Sequence, residues 1–139
     1  MALEWTKERT PTWDEDKARI VGGADPGVFD ARYKALRVGG LVPGTWWRVQ
    51  DGGATVGYGW MDLVWGDAEI LLAVAPDARG KGVGAFILER LADEARHLGL
   101  HRLYNIVRPT HPDSAKVTRF LTARGFTASE DGSLYRSVR

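Results

Sequence analysis

The 139-residue chain has no cysteine. This excludes a disulfide framework, thiolate metal ligation and any reaction carried through a covalent thiol intermediate. Histidine is scarce as well, and His97, His101 and His111 are too dispersed to suggest a metal site, so no metal is expected. His97 and His101 read as surface residues, and His111, just before Pro112, reads as the neighbour of a helix cap. No stretch approaches the ~20 consecutive apolar residues that span a bilayer, and Met1-Ala2-Leu3-Glu4 leads into charged residues instead of an apolar run, so a cytoplasmic location with no membrane partner is the expectation. Internal repeats, linkers and low-complexity tracts are also missing, which leaves a single domain over residues 1–139. With 44% hydrophobic and 27% charged residues the chain can bury a core and carries no signature of disorder.

Net charge is only +1, but it is unevenly spread. From Arg79 onward there are 11 Lys/Arg against 6 Asp/Glu, and before it 8 against 12. A basic second half suits a polyanionic ligand and an acidic first half suits a cationic one.

Taken in order, Leu3-Glu4-Trp5 reads as the start of an edge strand, and Thr10-Pro11-Thr12-Trp13-Asp14-Glu15 has the cap, proline and early acids of a helix start. Ala24-Asp25-Pro26 looks like a second start, followed by an apolar stripe of Val28, Phe29, Tyr33 and Leu36. From Thr45 the period changes to two. Strands are expected at 45–50 and 55–65, joined by Asp51-Gly52-Gly53, with a third from Glu69 to Ala75, forming an antiparallel meander. Gly57 and Gly59 within a strand imply a bulge or a close approach by something bulky. Trp47, Trp60 and Trp65 are expected to pack in the core or on a sheet face, with stacking on a ligand as the alternative. A helix follows from about Val83 to Leu98, with Val83, Phe86, Ile87, Leu91, Ala95 and Leu98 on one face and Gly99 as its C′ residue. A strand at 102–107, a helix carrying Val117, Phe120 and Leu121, and a hairpin pairing 126–129 with 134–138 complete the chain.

The most informative stretch is Glu69 to Gly84, an apolar strand stopped by Pro76, three alternating glycines, then a helical pattern. A helix entered through glycines presents unpaired N–H groups and the positive end of its dipole, an arrangement suited to phosphate. The spacing is not G-x-G-x-x-G, because Ile87 stands where the third glycine would fall, and there is no G-x-x-x-x-G-K-[ST]. What stands is Arg79-Gly80-Lys81-Gly82-Val83-Gly84, an R-x-x-G-x-G pattern after a strand. It resembles the coenzyme A loop of the GNAT superfamily of N-acyltransferases, and the resemblance covers about residues 45–139.

The resemblance implies an α/β fold (α+β in some schemes) with a mixed, largely antiparallel central sheet and helices on both faces. It also implies pantetheine pairing along Leu72, Ala73 and Val74, and pyrophosphate on the N–H groups of Arg79, Gly80, Lys81, Gly82, Val83 and Gly84. The family's N-x-x-A-x-x-x-Y-x-x-x-G-F pattern, anchored on Gly125-Phe126, puts Ser114 at the Asn place, Val117 at the Ala place and Leu121 at the Tyr place. That tyrosine protonates the departing thiolate in many members, so with Leu121 in its place either another group takes the role, with Tyr104 on the neighbouring strand as the candidate, or water or the thiol's own acidity suffices, or the chain no longer catalyses ordinary acetyl transfer. Glu69 is the expected general base, as a carboxylate is frequent at that point of the family's central strand, and Asp62 is the next candidate.

The expected activity is therefore transfer of an acyl group, acetyl from acetyl-CoA, to a small amine or amino-acid-like acceptor. The absence of cysteine and of a G-x-S-x-G elbow favours direct attack in a ternary complex. Two alternatives stay open, a transferase of the same fold drawing on aminoacyl-tRNA, and a non-catalytic module that binds coenzyme A. Either a monomer or a homodimer is compatible with the sequence.

Overall fold

The computed structural model describes residues 2–25, 27–29 and 31–138, with nothing taken from the side chains of Ala31 and Arg32. Of the second helix start expected at Ala24-Asp25-Pro26, Pro26 lies outside the described residues. Seven strands form one sheet in the order β1-β2-β3-β4-β5-β7-β6. They are β1 (Leu3–Lys7), β2 (Thr45–Asp51), β3 (Ala54–Val64), β4 (Asp67–Val74), β5 (Arg102–Asn105), β6 (Thr127–Ala128) and β7 (Leu134–Ser137). Only β4 and β5 run parallel, linked by a crossover through α2 (Val83–His97); the other helices are α1 (Glu15–Ile20) and α3 (Ser114–Thr122).

The glycines inside β3 have a clear cause. A Cβ on Gly59 would sit 2.7 Å from the Trp5 ring and 3.1 and 3.3 Å from Ile87 and Leu91. One on Gly57 would meet the Ala73 carbonyl oxygen at 2.8 Å and Ile87 at 3.1 Å. The glycines therefore let α2 settle onto the middle of the sheet. A bulge is present too. Val49 pairs with Gly57 but Gln50 pairs with Thr55, so Val56 is the extra residue in β3. The buried face of α2 includes Val83, Ile87, Leu88, Leu91, Ala92 and Ala95. Leu98, expected on that face, is instead the exposed C-cap residue, since the helix ends into Gly99 with its positive φ.

The opposite face of the sheet carries α1, whose N-cap Asp14 accepts the backbone N–H of Lys17. Lys17 is wholly buried. Its ammonium ion-pairs with Glu8 at 2.6 Å and Asp14 at 3.2 Å, donates to the Thr12 carbonyl, and lies about 5 Å from the Trp46 and Tyr58 ring centroids. Arg48 extends this network to Glu8, Asp14 and Asp16. In place of the helix expected from the apolar stripe there is a short 3-10 turn at Ala31–Ala35; of the stripe it includes Tyr33, buried against Trp13, and Leu36 follows it at the surface.

One tryptophan departs from expectation. Trp47 is buried and stacks on Trp5, but Trp65 is fully exposed at the β3–β4 turn with φ of 53°. The reason is the tight turn: Trp65 and Gly66 are its two central residues, both with positive φ, so the indole projects from the hairpin tip.

Candidate active site

The site is organised by a fork in the sheet. Parallel pairing of β4 with β5 covers Asp67–Arg102, Ala68–Leu103 and Glu69–Tyr104, and then stops. At the fork the Asn105 side-chain amide donates to the Ile70 carbonyl at 2.7 Å, capping the last point where the strands approach. Beyond it lies a cavity of about 450 Å³. Its β4 bank includes Glu69, Ile70, Leu71 and Leu72, and its β5 bank Asn105, Ile106, Val107 and Arg108, with Phe120 and Leu121 of α3 closing one side.

Strand alternation decides what the β4 backbone offers to this space. The Ala75 N–H bonds the Val56 carbonyl, which makes Ala73 and Leu71 the residues that turn their backbone groups toward β3. Leu72 and Val74 therefore direct theirs to the side that β5 has left. This separation begins at Ile70, so all of Leu72–Val74 lies past the fork.

After β4 the chain makes a 3-10 turn at Pro76–Ala78 and reaches α2 through Gly80 (φ 75°) and Gly82 (φ 84°). Gly82 is the N-cap of α2 and no side chain caps that helix end. A Cβ at Gly80 or Gly82 would meet nothing within 4 Å, so these glycines are required by backbone conformation. Gly84 differs, since a Cβ there would lie 3.4 Å from the Phe120 ring of α3. The outcome is a 15-residue helix whose first N–H groups open onto an exposed loop carrying Arg79 and Lys81.

The sheet also aligns the ionisable candidates. Asp62 of β3 is the direct cross-strand partner of Glu69, Glu69 is the parallel partner of Tyr104, and Tyr104 opposes Tyr135 of β7. Burial and then the charge of Asp62 hold the Glu69 carboxyl above its ordinary pKa. Burial followed by the charge of Glu69 raises the Tyr104 phenol, keeping it protonated. Asp62 and Glu69 line the cavity; Tyr104 does not, and its ring packs 5.6 Å from that of Tyr135. Ser114, at the start of α3, is also outside the lining residues, whereas Leu121 is among them.

Several cavity residues carry no local sequence signal. Asn105 is recognisable only once the fork is seen. Phe29, Tyr33, Pro43 and Trp60 converge on the cavity from segments far apart in the chain. His111 lines it as well, and its Nδ1 accepts the Asp113 N–H at 2.9 Å, the cap-neighbour role the sequence suggested.

A forked mixed sheet, with a glycine-gated helix following the strand at the fork, defines an acyltransferase-like architecture. The family profile described as Acetyltransferase (GNAT) family matches residues 3–126, and the chain belongs to that family. Comparison with curated proteins finds no match. Among solved structures, a protein assigned to the GNAT acetyltransferases from Desulfovibrio desulfuricans shares 17% identity over 99% of this chain and 100% of its own, with a TM-score of 0.73. N-acetylglutamate synthase from Neisseria gonorrhoeae, complexed with coenzyme A and N-acetyl-glutamate, shares 20% identity over 98% of this chain, which spans only 35% of that one, with a TM-score of 0.68. A phosphinothricin acetyltransferase from Sinorhizobium meliloti, in complex with AcCoA, shares 23% identity over 68% of this chain and 60% of its own, with a TM-score of 0.55. At these identities the likeness is one of fold. No described helix is long and apolar enough to cross a membrane, and no group of three or more potential metal ligands occurs among the described residues.

Proposed function

We propose that this protein is an N-acetyltransferase that moves an acetyl group from acetyl-CoA to a small amine. The observation that carries the reading is the fork: the strand that turns unpaired backbone groups into the cleft leads directly into the uncapped N-terminus of α2. Leu72 and Val74 would hold the amide-bearing pantetheine arm as a neighbouring strand would. The N–H groups from Arg79 to Gly84 would take the pyrophosphate, with Arg79 and Lys81 adding positive charge. The glycine conformations there fit such a group, because the loop offers backbone donors with no side chain over them.

Transfer to an amine needs an unprotonated nucleophile. Glu69 lines the cleft with a carboxyl shifted up from its usual range, a better proton acceptor than an ordinary glutamate. It removes the ammonium proton, directly or through water, and Asp62 strengthens its basicity. The amine then attacks the thioester carbonyl, the carbon–sulfur bond breaks, and the thiolate takes up a proton. Leu121 cannot supply that proton. Tyr104, the register partner of Glu69 on β5, is the group we assign to deliver it.

The test is calorimetric titration of acetyl-CoA into the protein, paired with thermal denaturation. Ligand at 100-fold above Kd should stabilise the fold by about 2.7 kcal/mol. Absence of binding by both acetyl-CoA and CoA would overturn the reading. Binding without thiol release against a broad amine panel would favour the non-catalytic alternative.

A further inference from the structure

Resting on the acetyltransferase reading of this cleft, we propose that the acceptor is a primary amine borne on a flat apolar body, an arylalkylamine in chemical class, and that Trp60 is the residue that selects it. Trp60 and Leu71 are cross-strand partners, as are Asp62 and Glu69 one step along the same face. An apolar shelf thus lies beside a carboxylate pair at two residues' separation, ~7 Å along the strands. A short alkyl tether between ring and nitrogen spans that distance, with the ammonium at the carboxylates and the ring on the indole.

The shelf is built and held. The Pro43 carbonyl accepts the indole N–H of Trp46 at 2.9 Å and of Trp60 at 3.0 Å. Gly44 has φ of 82°, and a Cβ there would lie 2.2 Å from Trp60 Nε1, so glycine is what allows this turn to close on the indole edge. With its one polar atom engaged, half-buried Trp60 has only apolar ring surface left for a ligand. Phe29, Tyr33 and Val28 face the same cavity from the segment after α1. Among the described residues, Arg108 is the Lys or Arg side chain that lines the cleft, and it comes from the chain after β5, across from the shelf. Among the described residues an acceptor carboxylate next to the ring meets no Lys or Arg on the shelf, whereas an ammonium finds the Asp62–Glu69 carboxyl pair beside an aromatic surface.

The experiment follows thiol release from acetyl-CoA with 2-phenylethylamine, ethylamine and L-phenylalanine, with calorimetry of 2-phenylethylamine into the CoA-saturated protein. Ethylamine lacks the ring, and L-phenylalanine adds a carboxylate to the same body. We expect kcat/KM for 2-phenylethylamine to exceed both by at least about tenfold. Trp60→Ala should raise KM for 2-phenylethylamine about tenfold more than for ethylamine with kcat little changed, and Trp60→Phe should restore most of it. Equal efficiency with ethylamine, preference for L-phenylalanine, equal effects of Trp60→Ala on both amines, or no binding of 2-phenylethylamine to a protein that binds acetyl-CoA would each overturn the inference alone. Failure to bind acetyl-CoA at all would instead remove the underlying reading.

Discussion

Asp62 and Glu69 stand directly opposite each other on β3 and β4 and line the same cavity. Two carboxylates so placed resist simultaneous ionisation, and Glu69 carries the cost as an upward-shifted pKa, to which its partial burial contributes most. In a reaction limited by deprotonation of an ammonium, that cost becomes basicity.

Glu69→Gln should lower kcat/KM by roughly 10²–10⁴-fold near neutral pH, with acetyl-CoA binding unchanged and the deficit shrinking as solvent deprotonates the amine at higher pH. Asp62→Asn removes a negative neighbour, so the Glu69 carboxylate becomes easier to form and the acidic limb of the pH–rate profile should move to lower pH. The part of the shift due to burial should persist. A Glu69→Gln enzyme within about twofold of the parent across the profile would leave Glu69 no role in proton removal.

Gly82→Val puts a β-branched residue at a φ of 84°, a region that costs an L-residue roughly 1–2 kcal/mol. No neighbour obstructs the added carbon, so the fold should survive with a modest fall in Tm. Affinity for CoA should drop by at least about tenfold in calorimetry as the loop donors are displaced. Undiminished affinity would remove the loop from the binding site.

Tyr104→Phe separates two roles for the phenol. If Tyr104 delivers the thiolate proton, kcat should fall with KM for acetyl-CoA unaltered, because the lost interaction exists only as the bond breaks. An unaltered kcat would leave Tyr104 as the packing partner of Tyr135.

Lys17→Met should destabilise the protein by about 3–5 kcal/mol in denaturant titration, because the buried ammonium is the counter-ion of Glu8 and Asp14. Burial alone would push Asp14 up, but the Lys17 N–H and ammonium together with Arg48 outweigh it and hold the carboxyl below its ordinary value. The stability Asp14 contributes is therefore present above its unfolded pKa and lost as pH falls through the folded one. The gap between parent and variant should narrow below about pH 4. A gap that did not change with pH would show that the loss comes from packing alone.

Much of the frame was legible because local rules wrote it. The period-two stretches from Thr45 to Ala75 became β2, β3 and β4, the helix start read over Thr10–Glu15 fell at its far end with Asp14 as the N-cap instead of a first-turn acid, and the glycines at 80 and 82 took the positive φ that a helix start of this kind demands. The bulk around Gly57 and Gly59 was inferable from their missing side chains, but its identity was not, since Trp5, Ile87 and Leu91 arrive from distant segments. Trp65 was misjudged because tryptophan is usually buried, while a two-residue turn at Trp65-Gly66 outweighed that preference. The cavity wall was unreadable for a different reason. Phe29, Pro43 and Trp60 have no common periodicity: the closing of the Pro43–Gly44 turn onto the indole joins Pro43 to Trp60, and Phe29 arrives from the separate segment after α1.

The fork has a consequence for amide hydrogen exchange. Amides in the middle of a seven-stranded sheet ordinarily exchange only when the protein opens. Leu72 and Val74 occupy a central strand by topology, yet their N–H groups face a gap, so they should exchange with solvent as quickly as those of an edge strand, beside slowly exchanging Leu71 and Ala73. A ligand laid along the gap would silence Leu72 and Val74 together, giving an alternating protection pattern that reports how the cleft is filled without any turnover.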